Sequence, residues 1–125
     1  MEIRFDNYSI APVHEKDAWR LCDFMVANAE RFKADFPETL KANLNPTLSK
    51  LFVAQKLKQF EAKTEFLFTL KENTDRTIIG LLYIKELQKV VGRAELAYCI
   101  GYSFEGQGIT SQMVAHLTSW AFEEL

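Results

Sequence analysis

The chain has 125 residues, enough for one domain at most, and its 48% hydrophobic and 26% charged residues describe a chain that folds rather than one that stays disordered. A formal net charge of -2, with no basic run longer than two residues, argues against nucleic acid or an anionic membrane surface as the main partner. No stretch approaches the ~20 apolar residues of a membrane span and MEIRFDNYS has no apolar run of signal-peptide length, so the expected location is cytoplasmic.

Tyr8 to Val13 reads as a short strand closed by Pro12. Glu15 to Ala29 reads as a helix: Ala18, Leu21, Cys22, Met25, Val26 and Ala29 recur at three and four and form one stripe. Glu15 and Asp17 fall in its first turn, where the helix dipole favours acids, and His14 stands at or near the N-cap. Arg31 to Leu44 is irregular, with room for a helical turn near Glu30 to Phe36. Pro46 opens a second helix reaching about Lys63, with Leu48, Leu51, Phe52, Gln55, Leu57 and Phe60 as a looser face.

Glu65 to Glu72 is strand-like, with Phe66, Phe68 and Leu70 on one face and Leu67 and Thr69 on the other. Asn73 to Arg76 is a polar turn. Thr77 to Lys85 is a nearly continuous apolar run, the pattern of a strand covered on both faces, and Gly80 within it suggests a bulge or a close backbone approach. Gln88 to Gly92 turns the chain and Arg93 to Ile100 is the next strand. Gly101 to Gly108 is a loop, and Ile109 to Leu125 is a helix with Ile109, Met113, Leu117, Trp120, Ala121 and Leu125 on one stripe. The order β-α-α-β-β-β-loop-α implies an antiparallel meander with helices packed on it.

The two cysteines, Cys22 and Cys99, lie in apolar segments without CxxC spacing or a histidine nearby. Reduced core thiols are expected, and no metal site.

The loop carries the chemistry. A helix N-terminus leaves four backbone N–H groups without intrahelical partners, and the dipole adds partial positive charge there. Gly106 and Gly108 allow the preceding chain to curl its own N–H groups toward the same point. The product is a site for phosphate oxygens. A tight strand-to-helix connection with nothing bound gives the same local signal, and both readings stay open on the loop alone. No Gly-Lys-Ser/Thr follows, and the third glycine and downstream acid of a dinucleotide fingerprint are absent.

The run AELAYCIGYSFEGQGITSQMVAHLTSWAFEEL resembles the acetyl-coenzyme A motif of the GNAT superfamily of N-acetyltransferases, and more narrowly the RimJ/RimL-type ribosomal-protein enzymes. The motif Gln/Arg-x-x-Gly-x-Gly/Ala falls on Ser103 to Gly108; Gly106 and Gly108 match it and Ser103 departs from it. The resemblance implies a mixed, mostly antiparallel α/β sheet with helices on both faces. It implies that backbone amides of Phe104, Glu105, Gly106, Gln107, Gly108 and Ile109 hold the pyrophosphate of acetyl-coenzyme A, with the Thr110 hydroxyl beside them. Tyr98, Cys99 and Ile100 would pair their main chain with the pantetheine arm, as an added strand does. Glu95 holds the place where family members often carry a general base.

Glu95 has a rival reading, an ion pair with Arg93 or Lys85. As a base it would take a proton from the attacking amine, and burial beside an apolar strand would raise its pKa in the useful direction. Phe36, Tyr83 and Trp19 are either acceptor-pocket walls or core.

The family pattern continues with a further strand, helix and hairpin beyond the point where this sequence stops. Glu123, Glu124 and the terminal carboxylate also crowd the helix end that prefers cations. A fragment, a C-terminally incomplete domain or a chain completed by a partner, including a second copy, is the expectation. Two functions follow. One is transfer of an acetyl group from acetyl-coenzyme A to a primary amine, a protein N-terminal α-amine being the favoured acceptor. The other is a non-catalytic acyl-coenzyme A-binding module.

Overall fold

The computed structural model describes residues 1–88 and 93–125. Five strands form one antiparallel meander in chain order: β1 (Ile3–Phe5), β2 (Tyr8–Pro12), β3 (Glu65–Glu72), β4 (Ile78–Gln88) and β5 (Arg93–Ile100). Among the described residues five α-helices accompany them: α1 (Ala18–Ala27), α2 (Ala29–Asp35), α3 (Pro37–Lys41), α4 (Pro46–Glu61) and α5 (Ile109–Glu124). The mixed α/β fold and the antiparallel sheet agree with the sequence. The expected turn at Gln88 to Gly92 lies, beyond Gln88, outside the described residues.

Alternation along the strands sorts the core into two layers. Leu67, Leu81, Tyr83 and Cys99 face α1 to α4 and pack with Leu21, Phe24, Met25, Phe32 and Phe52. Phe66, Phe68, Leu70, Leu82, Ile84 and Ile100 face the other way and pack under Ile109, Met113 and Leu117 of α5. Each of those three α5 side chains is closed from solvent, which stabilises by roughly 1.5–3 kcal/mol apiece. Trp120 completes this layer, edge-on to Phe66 and Phe68 at 5.8 and 5.0 Å.

Several boundaries differ from the sequence reading. β1 was not expected; Ile3 and Phe5 pair with Ile10 and Tyr8 around a two-residue Asp6-Asn7 turn, where Asp6 takes a positive φ of 49°. The helix expected over Glu15 to Ala29 is a 3-10 turn at Glu15–Asp17 followed by α1. His14 caps that turn: its Nδ1 accepts from Lys16 N at 3.0 Å, and its own N–H donates to Asp17 Oδ2 at 2.8 Å. Asn28 ends α1 because its backbone N–H and its Nδ2 both donate to Phe24 O. Val26, placed on the α1 stripe by periodicity, is exposed, and Phe24 is buried in its stead.

The segment expected to be irregular, Arg31 to Leu44, is mostly the two short helices α2 and α3. The looser face of α4 is also different from expectation. Leu51 is exposed, whereas Ser49, Phe52 and Val53 are buried. Ser49 goes inside because its hydroxyl donates to Asn43 Oδ1 at 2.8 Å, and a satisfied hydroxyl can be buried at little cost. Asn45 caps α4 by accepting from Leu48 N, with Pro46 in the first turn as expected.

The bulge signalled by Gly80 is present. The β3–β4 register runs Leu70 to Gly80 and then Lys71 to Ile78, leaving Ile79 extra. A Cβ on Gly80 would lie 3.0 Å from Cys99 O and 3.3 Å from Leu70 Cβ. The bulge turns Ile79 O toward the end of β5, where it accepts from Gly101 N at 2.7 Å.

Candidate functional site

The bond from Gly101 to Ile79 marks the end of β5 and the start of the loop. A 3-10 turn at Tyr102–Phe104 follows, in which Phe104 N donates to Gly101 O at 3.0 Å and Glu105 N to Tyr102 O at 3.4 Å. Gly106 and Gly108 both adopt φ 75°. A Cβ at either position would meet nothing within 4 Å, so the positive φ, not crowding, is what requires glycine there. Gly108 is the N-cap of α5 and has no side chain to cap it.

Among the described residues, no acceptor meets the backbone N–H groups from Gly106 to Ser111; the first helical bond is Gln112 N to Gly108 O at 3.5 Å. A run of free donors therefore sits at the positive end of α5. Such an arrangement takes an anion with several oxygens. Of the positions expected from sequence, Gly106, Gln107, Gly108, Ile109 and Thr110 lie in this run. The N–H groups of Phe104 and Glu105 are engaged in the 3-10 turn instead.

Two side chains from the α1–α2 junction brace the loop. Asn28 Oδ1 accepts from Tyr102 N at 3.0 Å. Arg31 Nη1 donates to Ile100 O at 3.0 Å, and Arg31 Nη2 pairs with Glu105 Oε1. Neither residue stood out in the sequence. The available signal was a polar Asn and Arg at a break between helical stretches, which local pattern alone does not connect to a loop some seventy residues later.

β5 is the edge strand of the described sheet. The Gly101–Ile79 bond and the β4–β5 register fix which main-chain groups point outward. In an antiparallel ladder these directions alternate. Cys99 and Ala97 direct theirs at β4, while Leu96, Tyr98 and Ile100 direct theirs away from it. Of the three positions expected to pair with a pantetheine arm, Tyr98 and Ile100 thus offer main-chain groups to a ligand and Cys99 does not. The Ile100 carbonyl is already held by Arg31.

Burial pushes the Cys99 thiol up to about 12, so Cys99 is a neutral core group. Cys22 and Cys99 are both free and buried, as the sequence indicates.

Glu95 lies on the same sheet face as Ala97 and Cys99, opposite Lys85 on β4. It is exposed, which differs from the burial expected of it. Among the described residues the ion pairs do not include Glu95, and the Arg93 side chain lies outside what is described. Lys85 directs its ammonium at the Tyr83 ring, 5.0 Å from the centroid. Glu65, the other register partner of Lys85, pairs with Lys56.

The aromatics considered for an acceptor pocket separate. Tyr83 is buried beneath the helices, its hydroxyl 3.3 Å from Thr39 Oγ1, and burial raises its pKa. Phe36 packs against the same core layer. Trp19 is exposed and lines a cleft of about 790 Å³ between α1, the β3–β4 turn and the 3-10 turn of the loop. Among the described residues no group of three His, Cys, Asp or Glu side chains is placed to hold a metal, and no helix is long and apolar enough to cross a membrane.

Comparison with known proteins places the chain in a family and a fold. The family model described as "Acetyltransferase (GNAT) domain" matches residues 9–125. The chain is 27% identical over 128 residues to the "Putative ribosomal N-acetyltransferase YdaF" of Bacillus subtilis (strain 168). That match takes in 96% of this chain and 64% of the relative, so the chain spans less than two thirds of its length. Among solved structures, the ribosomal-protein-S5-alanine acetyltransferase from Vibrio fischeri superposes with TM-score 0.89 at 18% identity, over 98% of this chain and 68% of that one. RimL, a ribosomal L7/L12 alpha-N-protein acetyltransferase solved in complex with coenzyme A, superposes with TM-score 0.81 at 17% identity, over 96% and 67%. At these identities the two structures establish a shared fold.

Proposed function

Because the chain belongs to the GNAT acetyltransferase family, we propose that it binds acetyl-coenzyme A at the start of α5 and serves transfer of the acetyl group to a primary amine, with a protein N-terminal α-amine as acceptor. The observation that carries this reading is the run of unpartnered N–H groups from Gly106 to Ser111, held open by two glycines at positive φ.

The pyrophosphate oxygens accept from these N–H groups, with the Thr110 hydroxyl beside them. The pantetheine arm lies along β5, using the outward main-chain groups of Tyr98 and the outward N–H of Ile100, whose carbonyl stays with Arg31. The amine nitrogen attacks the thioester carbonyl, the C–S bond breaks, coenzyme A leaves as the thiolate and takes its proton from solvent, and the amine gives up a proton. Glu95, exposed on β5, receives that proton directly or through water. An outward N–H of β5 is suited to the developing oxyanion. The thioester supplies the activated acyl group, so no covalent enzyme intermediate is needed. The choice of acceptor is supported by relatives described as ribosomal-protein N-acetyltransferases. Two free cysteines suit a cytoplasmic location.

Thermal melting with and without acetyl-coenzyme A tests the site. Thiol release with N-terminal peptides against small amines tests the reaction and its acceptor. A melting shift without thiol release for any amine would favour a non-catalytic acyl-coenzyme A-binding module; no shift would reject the site itself.

A further inference from the structure

Glu105 places a carboxylate one residue before Gly106, at the edge of the run of free amides. A negative charge there works against a second anion. A carboxylate is also a good partner for the N–H groups of a helix N-terminus, and so a competitor for them. Arg31 draws Glu105 the other way. Its guanidinium is fixed on one side by Ile100 O at 3.0 Å and takes the Glu105 carboxylate on the other. The Ile100 carbonyl belongs to the edge strand, so the guanidinium is anchored to the sheet rather than to the loop. The pair is part-exposed, with side-chain exposures of 32% for Arg31 and 41% for Glu105, so it contributes little to stability. Its consequence is local: it sets where one negative charge stands relative to the amides.

We propose that Arg31 is a positioning residue for the coenzyme loop, which neutralises Glu105 and holds its carboxylate out of the anion site. The proposal rests on the reading of that loop as the pyrophosphate site. It treats the coupling between Arg31 and the bound phosphates as indirect, acting through Glu105. α2 is thereby linked to coenzyme affinity although it carries no amide of the site.

The test is acetyl-coenzyme A affinity by titration calorimetry for the unaltered chain, Arg31→Ala, Glu105→Gln and the double variant. Arg31→Ala should bind roughly 5-fold or more weakly, the scale of an ordinary coupling between sites. Glu105→Gln should bind as well as the unaltered chain or better. The double variant should return to within about twofold of Glu105→Gln, because removing the carboxylate removes the need for its partner. A merely structural role for Arg31 would leave the double variant as weak as Arg31→Ala. That outcome overturns the proposal, as does unchanged affinity in Arg31→Ala. Arg31→Lys, which keeps the charge, guards against a misfolded alanine variant and should bind within about threefold of the unaltered chain; a loss as large as that in a folded Arg31→Ala counts against charge neutralisation. If the unaltered chain itself does not bind acetyl-coenzyme A, it is the loop reading that fails, and this proposal falls with it.

Discussion

Lys71 Nζ lies 2.6 Å from Asp17 Oδ1 on the helical side of the sheet, with side-chain exposures of 11% and 3%. The other carboxylate oxygen of Asp17 accepts from His14 N at 2.8 Å. One carboxylate thus ties the entry to α1 onto β3. Two charges removed from water need each other more than the fold needs the pair.

Asp17→Asn should therefore destabilise strongly, by about 3–5 kcal/mol, because it leaves the Lys71 ammonium buried without its counter-charge. Replacing both together, Asp17→Asn with Lys71→Met, should recover part of that loss. Urea denaturation of the single and double variants, read as midpoints at constant slope, checks both.

At Gly106 and Gly108 the cost of a side chain is conformational, since a Cβ has open space at both. Gly108→Ala should lower stability by roughly 1–2 kcal/mol, the penalty of a non-glycine residue in the left-handed region. Gly108→Val should in addition abolish the melting shift given by acetyl-coenzyme A. Circular dichroism should show the helical content intact in both.

Gly80 presents the opposite case. Its φ is ordinary, but a Cβ would press on Cys99 O and on Leu70. Gly80→Ala should cost about 1–3 kcal/mol by overpacking between β3 and β5. It should lower the melting temperature without any change specific to coenzyme binding. A melting temperature equal to that of the unaltered chain would show that the bulge can relax.

Glu95→Gln should leave the melting shift with acetyl-coenzyme A in place and slow thiol release by about 10²–10⁴-fold, the usual scale of general base catalysis. Lys85→Met, which removes the cation opposite Glu95 in the register, separates the two readings of the carboxylate. If Glu95 serves only a structural pair with Lys85, both variants should lose stability alike and neither should be selective for turnover.

Alkaline pH should unfold the protein through its buried acids. Burial raises Cys99 from 9.0 to about 12 and raises Tyr83 above its ordinary 10.0. Between pH 9 and 12 the unfolded chain has lost the Cys99 proton that the folded chain keeps, so stability falls as pH rises. The slope is about 1.4 kcal/mol per pH unit for each such group. Tyr83→Phe should remove the component that begins near pH 10. Denaturation midpoints from pH 7 to 11 measure the slope directly.

Much of the fold can be read from local pattern because the pattern records burial. β3 and β5 begin and end where alternation and turn residues place them, and α5 buries Ile109, Met113 and Leu117 as their spacing demands. Gly80, Gly106 and Gly108 mark a bulge and two positive-φ positions for different reasons: at Gly80 a side chain is excluded by Cys99 O and Leu70, whereas at Gly106 and Gly108 the backbone conformation itself favours glycine. Where several local solutions were close in energy, the pattern misled. Val26 and Leu51 sit on plausible stripes yet face solvent, because the α1–α4 packing turns Phe24, Ser49 and Val53 inward.

The sequence by itself determined the order strand, glycine-bearing loop, helix from Arg93 to the end of α5, with Gly106 and Gly108 as the positions that turn the chain into that helix. These are local properties, set by side-chain period and glycine φ. Only the tertiary structure decided that Arg31 meets Ile100 and Glu105, that Asn28 meets Tyr102, that Asp17 meets Lys71, and that Glu95 stands exposed beside Lys85. These contacts join residues separated by 69, 74 and 54 positions in the hydrogen bonds of Arg31, Asn28 and Lys71. No local period encodes such a pairing. It exists only when two core layers have closed and carried distant polar groups to the same edge of the sheet.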